Sequence, residues 1–178
     1  MPLALLCAVA GLAGAARAAL PAQPEDELKA AVVLGFLRYT DWPALQPESS
    51  PVTVGVLGRQ EFSAALRQAL AGKSEGKRPF RLVELKTAAD GRACQLVYFA
   101  MDSAAELKPA LEALHESHVL TIGENDRFLE LGGEVNLFLL DGRIRFEFRR
   151  SALQDPAYAI SSKLLRFGQL RSRIKGAN

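Results

Sequence analysis

Apolar residues recur at helical spacing at Leu28, Val32, Phe36 and Tyr39, behind the acidic opening Glu25, Asp26 and Glu27. This pattern predicts a first helix that Trp42-Pro43 terminates, with Lys29 and Arg38 off the apolar stripe. An apolar run at 52–57 passes through Gly58 into a second helix at about 61–71, which gathers Phe62, Leu66 and Leu70 on one side. Runs at 80–85 and 95–99 read as strands separated by the turn-like Ala89-Asp90-Gly91-Arg92. A helix over 104–114 then leads to a short strand at 119–122. Strand, helix, strand, strand, helix, strand is the order of an α/β layer with a mainly parallel sheet flanked by helices.

The sharpest local signal is Asp141-Gly142 between two alternating runs, since both central residues of a type I′ turn need positive φ. A two-residue loop there pairs Leu139 with Ile144, Leu137 with Phe146 and Val135 with Phe148, so that one face is wholly apolar. The opposite face sets Leu140 and Phe138 against Arg143 and Arg145, and Asn136 against Glu147. Two large apolar side chains on that face need a cover, either a packed helix or another subunit. Beyond the hairpin, Ile160, Leu164, Phe167, Leu170 and Ile174 predict a long last helix over about 159–174. Its other faces are basic, with Lys163, Arg166, Arg171, Arg173 and Lys175 and no acidic residue after Asp155. Such a face suits either a negatively charged partner or the helix's own C-terminal dipole.

Residues 3–16 form an uncharged run of Leu, Ala, Val and Gly, of signal-peptide length and short for a membrane span. Ala16-Arg17-Ala18 places small residues where a signal peptidase reads, which predicts a leader over 1–18 and one exported domain over 19–178, although Met1-Pro2-Leu3 lacks the usual positive start. Cys7 has too little apolar chain before it for a lipoprotein position. The 178-residue chain has 22 Lys and Arg against 20 Asp and Glu, a balance that argues against nucleic acid as a partner. With 49% apolar and 24% charged residues it is a globular composition.

Few residues suggest chemistry, and no cofactor is expected. Two cysteines and two histidines without paired Cys-x-x-Cys spacing make a metal site a poor expectation, although His115 and His118 are three apart. Ser74-Glu75-Gly76-Lys77 and Ser172-Arg173-Ile174-Lys175 match Ser-x-x-Lys by spacing alone, without the partners a nucleophile needs. No Gly-x-Ser-x-Gly, Walker loop or Gly-x-Gly-x-x-Gly is present, and no catalytic residue is named. Cys94, the sole thiol after processing, reads as an intermolecular bridge or redox sensor, with Arg92 favouring the thiolate, or as a small buried residue. In an open parallel sheet the loops at the strands' carboxyl ends form the natural crevice. Here they offer Gly58-Arg59-Gln60, Met101-Asp102 and Gly123-Glu124-Asn125-Asp126 to a small anion or amino acid, with Arg59, Asp102 and Asn125 the residues singled out, or serve merely as helix caps.

Several local patterns follow one another along the chain: Glu27-Leu28-Lys29-Ala30-Ala31, Tyr39, Asp41-Trp42-Pro43, Val54-Gly55-Val56-Leu57-Gly58 and Cys94-Gln95-Leu96-Val97-Tyr98. Leu120-Thr121-Ile122, Ile144-Arg145-Phe146-Glu147-Phe148 and Ile160-Ser161-Ser162-Lys163-Leu164-Leu165 come after them. Together and in this order they resemble the YfiR-like family of small periplasmic proteins. The resemblance implies an α/β fold, commonly a homodimer, and a repressor of the periplasmic domain of an inner-membrane diguanylate cyclase, released through an outer-membrane lipoprotein or a redox change. The family often has Cys where this chain has Gly55, facing the position of Cys94, so the disulfide implied there has no second thiol. Arg149 and Ala157-Tyr158 are further departures.

These readings give a non-enzymatic periplasmic regulator of cyclic-di-GMP signalling. Its expected partner surface is Phe138, Leu140 and Arg145 on the hairpin, with Arg166 and Arg171 on the last helix. The alternative is a periplasmic module that binds a small ligand in the crevice and serves a histidine kinase or a transporter.

Overall fold

A computed structural model describes residues 24–171. The leader, Cys7 and the 172–175 motif lie outside the described residues. The chain runs α1 (Pro24–Arg38), β1 (Thr40–Asp41), β2 (Val52–Gly58), α2 (Gln60–Leu70), β3 (Ser74–Glu75), β4 (Arg78–Glu84) and β5 (Leu96–Ala100). It continues through α3 (Ala104–Leu114), β6 (Leu120–Gly123), β7 (Val135–Leu140), β8 (Arg143–Phe148), β9 (Ala159–Ile160), α4 (Ser162–Leu165) and β10 (Gly168–Leu170). The main sheet has the order β10-β8-β7-β6-β5-β2-β4-β3, with β4, β2, β5, β6 and β7 parallel. It is the mixed α/β domain with a mostly parallel, helix-flanked sheet that the element order predicts.

Every residue of β5 is buried, as a central strand covered on both faces requires. Leu96, Tyr98 and Ala100 face the core beneath α1 and α2, while Val97 and Phe99 face the core beneath α3. The α2 prediction holds: Phe62, Leu66 and Leu70 are its buried residues, together with Ser63 and Ala65.

The α1 prediction holds for the helix but not for its face. Asp26, Lys29, Ala30, Val33, Phe36 and Leu37 are buried, whereas Leu28 is 48% and Tyr39 50% exposed. Phe36 alone of the expected stripe is fully inside. The buried face begins with two charged residues, and a search for a purely apolar stripe passes over it.

The hairpin forms in the expected register, Leu139 to Ile144, Leu137 to Phe146 and Val135 to Phe148, with φ of 50° at Asp141 and 70° at Gly142. The inner face packs Val135, Leu137, Phe146 and Phe148 into the core, where Phe36 meets Phe146 edge to face. At the tip Leu139 is half exposed.

The long last helix is replaced by a single turn, α4, followed by β10, which pairs parallel to β8. Gly168 is unfavourable within a helix, and the free edge of β8 offers backbone partners instead. The absent side chain has a second role, since a Cβ at Gly168 would lie 2.1 Å from the Phe146 ring. Ile160, Leu164, Phe167 and Leu170 therefore share no helical stripe, and Ile174 lies outside the described residues. The β1–β9 pair ties the end of α1 to this segment and places Trp42 beside Tyr158, 5.9 Å between ring centres.

Gly168→Ala is expected to lose about 1–3 kcal/mol in chemical denaturation, because the Phe146 ring is locked beneath it. Unchanged stability would mean that β10 is not seated on that ring.

Candidate functional site

Strand β2 is followed through α2 by β4 on one side, while β5 lies on its other side, so the strand order reverses between β2 and β5. Open α/β sheets bind ligands outside the carboxyl ends of strands at such a point. Gly58 closes β2 at φ 117°, and a Cβ there would lie 2.1 Å from the carbonyl oxygen of Ala100, so glycine lets the two strand ends approach. The Arg59 amide donates to that same carbonyl at 3.1 Å, which aims the Arg59 side chain across the sheet edge.

The Arg59 guanidinium meets charges from two other elements. Its Nη1 donates to both Asp26 oxygens at 3.3 and 3.4 Å, and its Nη2 donates to Glu124 just beyond β6. Glu124 also accepts from Lys29, which in turn contacts Glu25 at 2.7 Å. Asp26, Lys29 and Glu124 are nearly fully buried, and Arg59 is about one-third exposed. Two cations and two carboxylates from α1, the β2–α2 junction and the β6 loop thus neutralise one another. Asp102, from the loop after β5, completes the rim of a crevice of about 670 Å³ lined by Pro24, Glu25, Asp26, Lys29, Arg59, Asp102 and Glu124.

Of the three residues expected here, Arg59 and Asp102 line the crevice. Asn125 ties the loops together, its Nδ2 donating to the Asp102 carbonyl and its Oδ1 accepting from the Arg127 amide. Glu124, in the third of the loops offered to the crevice, lines it as well. Sequence reasoning missed Asp26 and Lys29, whose charges near the start of α1 read as surface.

Burial pulls the Lys29 pKa down, but the bonds to Glu124 and Glu25 outweigh it and hold the group above its ordinary 10.5. Burial likewise opposes the charge on Arg59, which Glu124 and Asp26 restore. Tyr98, stacked on Phe62 with ring centres 3.8 Å apart, is pushed well above 10, first by burial and then by the charge of Glu124.

The outer hairpin face presents Phe138 opposite Arg145 and Leu140 opposite Arg143, with Leu140 48% exposed. Arg166 lies on the turn after α4, over the ring of Phe167 at 4.8 Å. Arg171 follows β10 and contacts Glu147 at 3.1 Å. The two arginines expected on one helix are therefore set on a turn and on a sheet edge.

Cys94 is 6% exposed, and burial alone pushes its thiol pKa up. Arg92 does not favour the thiolate, since its Nε donates to the Ala113 carbonyl at 2.9 Å. A Cβ at Gly55 would lie 3.1 Å from Cys94 Sγ, about the separation of a Cβ and the far sulfur in a disulfide, with Leu85 the side chain that must give way. His118 faces Asp155 at 3.0 Å, His115 is exposed, and among the described residues no three His, Cys, Asp or Glu are grouped to hold a metal. Ser74 and Lys77 are exposed around the β3–β4 turn. A second cavity of about 300 Å³ contains Glu134, whose carboxyl is raised by burial and bonded by Ser151 at 2.8 Å.

Native Cys94 is expected to react with a thiol reagent on the order of 100-fold more slowly than in denaturant. Gly55→Cys should form an oxidised pair with it, detected by mass shift. Fast native labelling would contradict the burial. Because the folded Lys29 pKa lies above the unfolded one, its stabilisation is complete below 10.5 and is lost as pH rises through the folded value. In urea unfolding between about pH 9 and 12, wild type should lose more stability than Lys29→Met. Equal losses would contradict the ion cluster.

No described helix is long and apolar enough to cross a membrane. The fold is similar to the crystal structure of a conserved domain protein from Vibrio cholerae, with a TM-score of 0.52 and 11% identity over 82% of this chain. The chain spans 59% of that chain's length, and the likeness concerns the fold alone. No curated protein matches in sequence. The YfiR/HmsC-like family model matches residues 26–169, from the first buried charge of α1 to β10. That match shows that the chain belongs to the YfiR/HmsC-like family.

Proposed function

We propose that this protein is a non-enzymatic regulator, exported by a leader cleaved after Ala18, that binds and represses the periplasmic domain of an inner-membrane diguanylate cyclase. Family membership supports the class of function. The observation that carries the surface is the outer hairpin face, where Phe138 and Leu140 stand beside Arg143 and Arg145 on the side away from α1. A mixed aromatic, aliphatic and guanidinium patch is the composition that anchors protein interfaces. The complementary partner surface is apolar with acidic groups around it.

Repression follows from differential affinity: the regulator binds the inactive state of the cyclase more tightly and so enlarges its population. Sequestering the regulator, by an outer-membrane lipoprotein or in a homodimer that covers the same hairpin face, lowers its free concentration and releases the cyclase. Redox release through Cys94 has no support, since the facing position is Gly55 and the thiol is buried. The ligand-module reading keeps one specific support, the crevice around Arg59 and Asp102.

The double variant Leu140→Asp with Arg145→Glu is expected to keep the wild-type thermal midpoint, as both side chains are exposed. It should lose at least about tenfold in capture of the cyclase's periplasmic domain, a difference of ~1.4 kcal/mol. Unchanged capture by the folded variant would remove the hairpin face from the interface.

A further inference from the structure

The second cavity lies at the amino end of β6, opposite the ion cluster at its carboxyl end, between the last turn of α3, the loop before β7 and the segment before β9. The buried side chains of Leu111, Leu114 and Val119 line it together with Glu134 and Tyr158, and the exposed Glu112 and Glu116 stand at its rim. Tyr158 is 4% exposed, with its ring resting against Trp42. Its hydroxyl makes no hydrogen bond among the described residues, yet it is not one of the unpaired polar atoms that the fold seals from solvent, as Trp42 Nε1 is. The little of Tyr158 that is exposed therefore includes the hydroxyl, and it opens into the cavity that the residue lines. Burial raises the pKa of this group first, and the charges of Glu134 and Asp155, on the same wall, raise it further. Phenylalanine would pack on Trp42 without leaving a hydroxyl unpaired, so tyrosine here has a use that the fold does not supply.

The wall is acidic as well as apolar. Glu112, Glu116, Glu134 and Asp155 face only two histidines, with no Lys or Arg among them. Asp155 is already engaged by His118 at 3.0 Å and by the Ala157 amide at 2.8 Å, whereas Glu134 is bonded by the Ser151 hydroxyl. Among the described residues no three such groups converge on a metal ion, which leaves an organic cation as the complementary charge. We propose that this cavity binds a small primary amine carrying a compact apolar group, an alkyl- or arylalkylammonium. The ammonium donates to the Glu134 carboxylate and to the Tyr158 hydroxyl oxygen, and the apolar group packs on Leu111, Leu114 and Val119. A volume of about 300 Å³ is at the lower end for ligand pockets and limits the occupant to a small molecule. Amine binding here does not rest on the cyclase reading, and either can fail without the other.

Thermal unfolding of the full chain at about pH 7, where amines are charged, tests the proposal. The probes are butylamine, isoamylamine, phenethylamine and tyramine, each up to about 10 mM, with the matching alcohols as uncharged controls. At least one amine should raise the midpoint saturably, and its alcohol should not. Tyr158→Phe should keep the ligand-free midpoint and weaken binding of that amine about tenfold. Glu134→Gln, which keeps an acceptor for Ser151, should weaken it at least as much, and Tyr158→Phe decides alone if that variant does not fold. A panel that shifts nothing overturns the proposal, as do alcohols that act as strongly as amines or a shift that survives either substitution in folded protein. A ligand-free midpoint that falls in Tyr158→Phe also overturns it, because the hydroxyl would then be serving the fold.

Discussion

The placement of α1 depends on a buried ionic contact. Asp26 and Lys29 sit on its inward face and meet Arg59 and Glu124 from two separate strand ends. Burying isolated charges costs several kcal/mol each, so none of the four is tolerable without the others. Their mutual neutralisation holds the first turns of the helix over the carboxyl edge of the sheet and fixes its rotation. Once that rotation is set, Ala30, Val33, Phe36 and Leu37 point into the core, and Phe36 reaches Phe146 on β8. The same contact thus links the crevice at one end of α1 to the hairpin packed near the other.

The charged crevice and the outer hairpin face occupy different parts of the sheet. Charged groups converge where the strand order reverses, between β2 and β5. The apolar and guanidinium side chains of the hairpin gather on β7 and β8, beyond β6 and toward the other edge of the sheet. The regulator proposed above would need an outward surface that a partner can recognise and a fold rigid enough to present it, and α1, packed behind β8 through Phe36 and Phe146, gives the hairpin that backing.

Much of this was legible from spacing. The Asp141-Gly142 turn specified the hairpin register because a one-residue slip would turn every apolar side chain outward. Arg59 and Asp102 followed from the general rule on strand ends. What was illegible depended on tertiary context. Charges near a helix start usually face water, so Asp26 and Lys29 looked like surface, and the eye went to Leu28 and Tyr39 instead. The segment after Tyr158 carries apolar residues at helical spacing, yet the open edge of β8 and the close seat of Gly168 on Phe146 make a strand of it. Tyr98 looked like one more strand aromatic, and only its unpaired hydroxyl sets it apart.

The most direct measurement is a double-mutant cycle between Lys29 and Glu124, with Lys29→Met, Glu124→Leu and the combined variant compared by urea unfolding. If these charges hold α1 in place, each single change leaves a buried ion unpaired, and the pair of changes together is less damaging than their sum by at least about 1 kcal/mol. Additive losses would show that the two residues act independently and would contradict the account.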